Sequence, residues 1–352
     1  MHILAINPGS TSTKIAVYED DTLLHAIDIA HSREELAPFE RAIDQYDFRK
    51  QLIFDELAAH HISLNFDAVV GRGPISKAVP SGVYAVNEQM IDDNRHSAHD
   101  HPCNLGCILA YDIARTVPCP AYIVDPGVVD ELAPVARITG LPEMPHYGVW
   151  HALNQKAVAR RHAREHGKRY EDLQLIVCHM GGGISVAAHD HGLAVDANNA
   201  LDGEGPFTTE RAGSLPVGDL IRMCFSGKYK EEELMTKIRR QSGMYAYLGS
   251  NDMRVVGRRV AEGDEQAKLV VDAMVYNIAK WICAEAAVFG GKVDAILLTG
   301  GLAHSDYVTS GVRERVQFLA PVYCYPGEDE MLSLAEGALA ALKGEREVLT
   351  YR

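Results

Sequence analysis

Residues 3–18 read Ile3-Leu4-Ala5-Ile6-Asn7-Pro8-Gly9-Ser10-Thr11-Ser12-Thr13-Lys14-Ile15-Ala16-Val17-Tyr18. Two apolar runs flank a polar, glycine-containing loop, the pattern of a strand, a wide turn and a returning strand. A third strand is predicted over Thr22–Ile29, after the acidic turn Glu19-Asp20-Asp21. The same order returns half a chain later. Leu175-Ile176-Val177-Cys178 leads into His179-Met180-Gly181-Gly182-Gly183, and Ile184-Ser185-Val186-Ala187-Ala188 returns to a turn at 190–192 and then Leu193-Ala194-Val195. A repeat of this kind predicts an α/β protein made by duplication of one unit, each copy carrying its own sheet flanked by helices.

Outward from these hairpins, 352 residues and 38.6 kDa suit two domains of ordinary size. The stretch Pro142-Glu143-Met144-Pro145 marks the expected boundary, giving domains over 1–145 and 146–352. Helical patterns run over Asn104–Arg115 and Trp150–Arg164. A long one, Gln266–Phe289, stops at Gly290-Gly291, and Val293–Leu298 reads as a short buried strand leading to Gly300-Gly301. The last helix is expected over Met331–Leu342, packing back on the first domain.

Composition narrows the partners. The chain is 47% hydrophobic and 23% charged, with a net charge of −14, so its average field repels nucleic acid and anionic membrane surfaces. Seven dispersed cysteines, an odd number, indicate reduced thiols and a cytoplasmic setting rather than a disulfide scaffold. Cys103 and Cys107 lie near His96, His99 and His101, yet the second cysteine pair usual in a structural zinc site is missing. No signal-peptide pattern opens the sequence. The most apolar helical stretch, Ala267–Phe289, is interrupted by Lys268, Asp272, Lys280 and Glu285, which suits a core helix and not a membrane span.

A strand ending in a loop of small and hydroxyl residues exposes several backbone N–H groups that can converge on one anion, commonly a phosphate. Asn7–Lys14 is one such loop and His179–Gly183 the second, where three consecutive glycines permit close backbone approach to a phosphate chain. Either loop alone is also explained as an ordinary hairpin. Two at matching places in a duplicated unit point to nucleotide binding. Neither follows the P-loop spacing, and no Gly-x-Gly-x-x-Gly follows a strand, so those two modes lose support.

A duplicated unit with two phosphate-holding hairpins is the plan of the actin, sugar-kinase and Hsp70-like superfamily, with the active site in the interdomain cleft. Within it the sequence resembles the acetate and butyrate kinase family over essentially its whole length, nearest the butyrate kinase branch. The matching stretches are Ile6–Lys14, Val70–Gly73, His101–Gly106, Val124–Gly127, His151–Ala157, His179–Gly183, Glu210–Gly213, Leu298–Gly301 and Pro326–Met331. The last of these, with Leu334–Ala338, carries the likeness to the butyrate branch.

The resemblance implies reversible transfer of the γ-phosphoryl group of MgATP to a short-chain carboxylate, butyrate or a branched C4–C5 acid, giving an acyl phosphate and ADP. It implies two active-site arginines at Arg72 and Arg211, a phosphoryl-contacting histidine at His151, and an aspartate near Mg²⁺ at Asp125. Asn7, Ser10, Ser12 and Lys14 would face the phosphates, with Asn7 also near the metal. His179, Gly181, Gly182 and Gly183 would form the second phosphate loop, and Gly300-Gly301 would let the nucleoside lie against the backbone. The family commonly forms homodimers.

One departure concerns the metal, because acetate kinases carry a magnesium-associated glutamate four residues after the position of Gly300 and this chain has His304. Substrate size is addressed twice. Gly73-Pro74 replaces two valines of the acetate enzymes and lessens bulk near the acyl tail, whereas Trp150 is larger than the usual phenylalanine before the family histidine. Two other readings stand beside this one: an acetate or propionate kinase, and an ATP-binding sensor of the same superfamily without catalysis.

Overall fold

The structure, a computed structural model, describes residues 1–97 and 100–352. The first hairpin forms as its pattern requires. Strands β1 (His2–Pro8) and β2 (Ser12–Glu19) pair antiparallel, with Asn7 opposite Lys14, and β3 (Thr22–Ala30) extends the sheet from β2. On the other side of β1, β4 (Ala68–Arg72) and then β6 (Ala121–Val124) run parallel to it. The short β5 (Val83–Ala85) and β12 (Val348–Thr350) complete seven strands in the order β12-β5-β6-β4-β1-β2-β3. Ile3, Leu4, Ala5 and Ile6 are all fully buried, as befits a strand covered on both faces.

This sheet belongs to a unit formed by Met1–Val129 together with Asp329–Arg352. Leu4, Ile6, Ile15 and Val17 pack with Ile53, Leu57, Leu105, Leu109 and Ile113 from the helices Tyr46–Ala59 and Leu105–Thr116. Each such side chain contributes about 1.5–3 kcal/mol by leaving water. The helix Glu330–Leu342 and β12 are part of this unit.

The second unit, Asp130–Glu328, repeats the plan. Strands β7 (Gln174–Met180), β8 (Ile184–Asp190) and β9 (Leu193–Ala197) form an antiparallel meander, and β10 (Ala295–Gly300) and β11 (Val322–Pro326) continue parallel to β7. Order β11-β10-β7-β8-β9 matches β6-β4-β1-β2-β3 strand for strand. The duplication read from the sequence is therefore present in both topology and strand direction.

The long helix of this unit spans Glu265–Glu285, begins with the Asp264 carboxylate accepting from the Ala267 N–H, and tightens into a 3₁₀ turn over Ala286–Phe289. Its buried stripe, including Val271, Met274, Ile278 and Ile282, packs on Ile176, Cys178, Ile296 and Leu298. Strand β10 lies two residues later than its sequence pattern suggests, because pairing with β7 continues to Thr299 opposite His179. The stretch 142–145 lies inside the second unit, whose borders with the first fall at 129/130 and 328/329.

Candidate active site

In the first unit the hairpin register places the phosphate-loop residues. Asn7 and Lys14 are directly opposed, so their side chains share one face of the sheet, and the turn closes through a bond from Gly9 N to Ser12 O of 2.7 Å. Ser10 and Lys14 are exposed, and Ser12 is half-buried. Asn7 Nδ2 donates to Glu330 Oε2 at 2.7 Å, and the other oxygen of Glu330 is ion-paired with Arg72 at the end of β4. One carboxylate thus ties Asn7 to Arg72. Glu330, which sequence reasoning did not single out although it stands within the matching stretch Pro326–Met331, joins the candidate residues.

Asp125 follows β6 with a positive φ of 38°. It is buried, and its Oδ1 accepts from Ser81 Oγ at 2.6 Å and Gly82 N at 2.9 Å, with Arg346 at 3.6 Å. These bonds tie a turn and fix the carboxylate between two donors and an adjacent cation. Gly73 packs on Pro126, where an added Cβ would lie 2.6 Å from the proline Cα. Its missing side chain therefore admits the neighbouring turn, a different role from the acyl-tail clearance expected. Burial pushes the thiols of Cys103 and Cys107 up to about 12, which disfavours the thiolate a zinc site needs. His99 lies outside the described residues.

The second unit gathers His151, His179, Arg211 and the glycine loop. His179 and Ser185 are opposite one another across the β7–β8 hairpin, so both point to the same face. His151, just before the helix Ala152–Glu165, lies over that face with Nδ1 2.9 Å from Ser185 Oγ. Its ring stacks on His179 at 3.7 Å between centroids and 8° between planes. His179 Nδ1 bonds Asn154 Oδ1 at 2.8 Å. Its Nε2 lies 2.9 Å from Glu328 Oε1 and has no hydrogen-bond partner among the described residues.

The loop Gly181–Gly183 closes with Gly181 N to Gly183 O at 2.9 Å and is held by Thr208 Oγ1 donating to Gly182 O at 2.7 Å. A side chain on Gly183 would occupy the place of the Arg211 guanidinium, so glycine there lets the arginine reach the loop. Arg211 Nη1 donates to Ala200 O at 2.8 Å, while its Nε is buried with no hydrogen-bond partner among the described residues. Burial pulls its pKa down, yet a guanidinium remains a cation. An unsatisfied donor on a buried cation suits an arriving anion.

Beyond the loop, a cavity of about 370 Å³ is lined by Gly301, Leu302, His304 and Ser305 on one side and Met253, Arg254, Gly257, Arg258 and Ala261 on the other. Its size fits a small organic ligand. Gly301 lines it. Gly300 serves the sheet instead, since with φ 87° it brings β10 against the Met180 backbone, where no Cβ fits. Trp150 is buried and meets His189 edge-on at 5.7 Å, so it packs behind His151 within its unit. Asn154 and Gln155 were not singled out either. Their spacing of three and four from His151 places them on its helix face, a signal present in the sequence.

A five-strand order repeated in both sheets, each copy with a small-residue hairpin at the end of its first strand, defines a protein of the actin-like ATPase fold. Known proteins narrow the class. The acetokinase family profile matches residues 143–322. A probable butyrate kinase of Bacteroides thetaiotaomicron is 56% identical over 353 residues, covering 100% of both chains. Butyrate kinase 1 of Clostridium acetobutylicum is 48% identical over 99% of both. The acetate kinase of Porphyromonas gingivalis shares the fold with a TM-score of 0.77 at 19% identity, covering 96% of this chain and 98% of that one. The chain belongs to the acetokinase family.

Proposed function

We propose that the protein is a short-chain fatty acid kinase that transfers the γ-phosphoryl group of ATP reversibly to butyrate or a branched C4–C5 acid. The observation that carries the reading is the set of His151, Arg211 and the Gly181–Gly183 loop on one face of the second unit, in a chain whose full-length relatives are named butyrate kinases. The acid, with a pKa of roughly 4–5, is already ionised at neutral pH. A carboxylate oxygen attacks the γ-phosphorus, the new P–O bond forms as the bond to the β–γ bridging oxygen breaks, and ADP leaves with that electron pair. No base is required. Positioning and charge supply the catalysis.

In this reading Arg72 and Arg211 offset the repulsion between carboxylate and phosphates, each through a planar fork suited to two oxygens. His151 donates to the transferring phosphoryl group, whose charge grows during transfer. Asn7, Ser10, Ser12 and Lys14 are the phosphate-holding groups of the first unit, and the amides of Gly181–Gly183 those of the second. The nucleoside occupies the cavity beside Gly301.

Asn7 and Glu330, held together in the first unit, are oxygen donors of the kind Mg²⁺ would take, with Asp125 a third on the same unit, and the ion ordinarily keeps waters and phosphate oxygens as its remaining ligands. Bound with ATP, it supplies charge neutralisation at the phosphates. His304, at the mouth of the cavity, offers no oxygen, and the Glu330 carboxylate beside Asn7 provides the acidic group.

We further infer a cytoplasmic homodimer. All seven cysteines are free, and no helix among the described residues is long and apolar enough to cross a membrane. The helix Val217–Cys224 buries none of its residues, and Val217, Ile221 and the adjoining Phe225 stand exposed at four-residue spacing. Light scattering should give twice 38.6 kDa, and Phe225→Glu should shift the mass toward the monomer. The reaction itself is tested by ADP formation under saturating MgATP. Acid-dependent turnover rising to four or five carbons supports the reading, and ATP binding without acid-dependent turnover overturns it in favour of a sensor.

A further inference from the structure

The hydrogen bonds behind His151 form one connected chain, and a single fixed point assigns every proton in it. Gln155 Nε2 lies 3.0 Å from the backbone oxygen of Ser185 and 2.8 Å from its hydroxyl. A carbonyl oxygen can only accept, so the amide nitrogen must face it. Gln155 Oε1 is thereby turned to His189, whose Nε2 is 3.0 Å away. That oxygen also only accepts, which puts the His189 proton on Nε2. The His189 ring is fully buried, and burial first, then the nearby Lys156 and Arg160 cations, hold its pKa well below the ordinary value, so it is neutral. Its Nδ1 then accepts from Tyr170 OH at 2.6 Å.

At the other end, Ser185 Oγ accepts from Gln155 Nε2 at 2.8 Å and from the His151 backbone N–H at 3.3 Å. Both lone pairs are used, and the one hydroxyl proton goes to the remaining neighbour, His151 Nδ1 at 2.9 Å. We infer that Tyr170, His189, Gln155 and Ser185 form a buried relay that holds His151 as its neutral Nε2–H tautomer, making Ser185 and Gln155 positioning residues for phosphoryl transfer. With Nδ1 committed as an acceptor, the ring presents a donor to substrate and no base. This matches a reaction whose nucleophile is already ionised and whose charge develops on phosphoryl oxygens. The functional consequence rests on the reading of His151 given above; the tautomer does not.

The test uses the full-length protein labelled with ¹⁵N-histidine and long-range ¹H–¹⁵N correlation at neutral pH, with His151 assigned by its loss in His151→Asn. The expected pattern is that of a neutral ring protonated at Nε2. Gln155→Leu removes the donor to the Ser185 hydroxyl, whose freed lone pair can then accept from His151 Nδ1–H. The expected result is loss of the single Nε2–H tautomer, with kcat lowered about 10–100-fold and both KM values within about threefold. Ser185→Ala, which removes no buried charge partner, should mix the tautomers and lower kcat, and Ser185→Thr should restore both. A wild-type His151 protonated at Nδ1 or cationic overturns the relay, as does a fall in kcat in Gln155→Leu with the Nε2–H pattern retained. A protein that shows the Nε2–H pattern but phosphorylates no acid contradicts the proposed reaction and leaves the relay standing.

Discussion

The imidazoles of His151 and His179 lie face to face, 3.7 Å apart and within 8° of parallel. Stacked rings in this contact fix one another's plane, so His179 holds the orientation of His151. In the proposed reaction His179 is the platform and His151 the group presented.

His151→Asn should therefore lower kcat about 10²–10³-fold, the loss typical of removing a donor aimed at developing charge, with smaller changes in KM. His179→Ala removes the platform and not the donor. It should cost about tenfold or less in kcat. Steady-state kinetics with ATP and acid varied separately distinguish the two.

Arg211 reaches the glycine loop only because residue 183 lacks a side chain. Gly183→Ala should displace the guanidinium, which is flexible, and leave the fold intact: kcat/KM falls about 10²-fold while thermal stability changes little. Arg72→Lys keeps the cation but loses the fork, and should also fall markedly in kcat/KM. Equal activity in Arg72→Lys and wild type would show that charge alone suffices there.

Stability should decline with rising pH. Glu285 is buried, and desolvation first, then Asp196 and Glu204, hold its pKa well above the ordinary carboxyl value. His146 is raised to about 9, first by its hydrogen bond to Glu204. Both groups bind protons more tightly folded than unfolded. Their contribution is full below the unfolded values, roughly 4.5 and 6.5, and is lost as pH climbs through the folded ones. Glu285→Gln should raise Tm at pH 8 by about 2–4 °C for each kcal/mol recovered and have little effect near pH 4, as read by calorimetry.

Arg49 lies wholly buried beneath the first loop, where it donates to Ser12 O at 3.1 Å, Thr13 Oγ1 at 2.8 Å and Gln45 Oε1 at 2.8 and 2.9 Å. Burial alone lowers its pKa to about 10. Arg49→Met would leave the buried Gln45 Oε1 without a donor and take one partner each from Ser12 O and Thr13 Oγ1, and should cost about 2–4 kcal/mol in urea unfolding.

The two hairpins were legible in the sequence because apolar runs and glycine turns are local signals, and their repetition announced the duplication. His151, Arg211 and the glycine loop were legible through the family resemblance. Glu330 was not, since it meets Asn7 across 323 residues and no local pattern marks it. Ser185 and Gln155 escaped for a related reason: their role depends on strand register against His179 and on a helix crossing that face. Gly73 and Gly300 were assigned to ligand clearance, whereas their neighbours are Pro126 and Met180, because sequence shows that a side chain is absent and not what fills the space.

The central claim is tested most directly by trapping the product. Purified protein, MgATP and hydroxylamine are incubated with single acids from acetate to valerate, including isobutyrate and isovalerate, and the acyl hydroxamate is quantified. The account requires hydroxamate that depends on both ATP and acid, with its maximum at four or five carbons. A maximum at acetate would move the substrate to the shorter acids, and no hydroxamate from any acid by a protein that binds ATP would contradict the account outright.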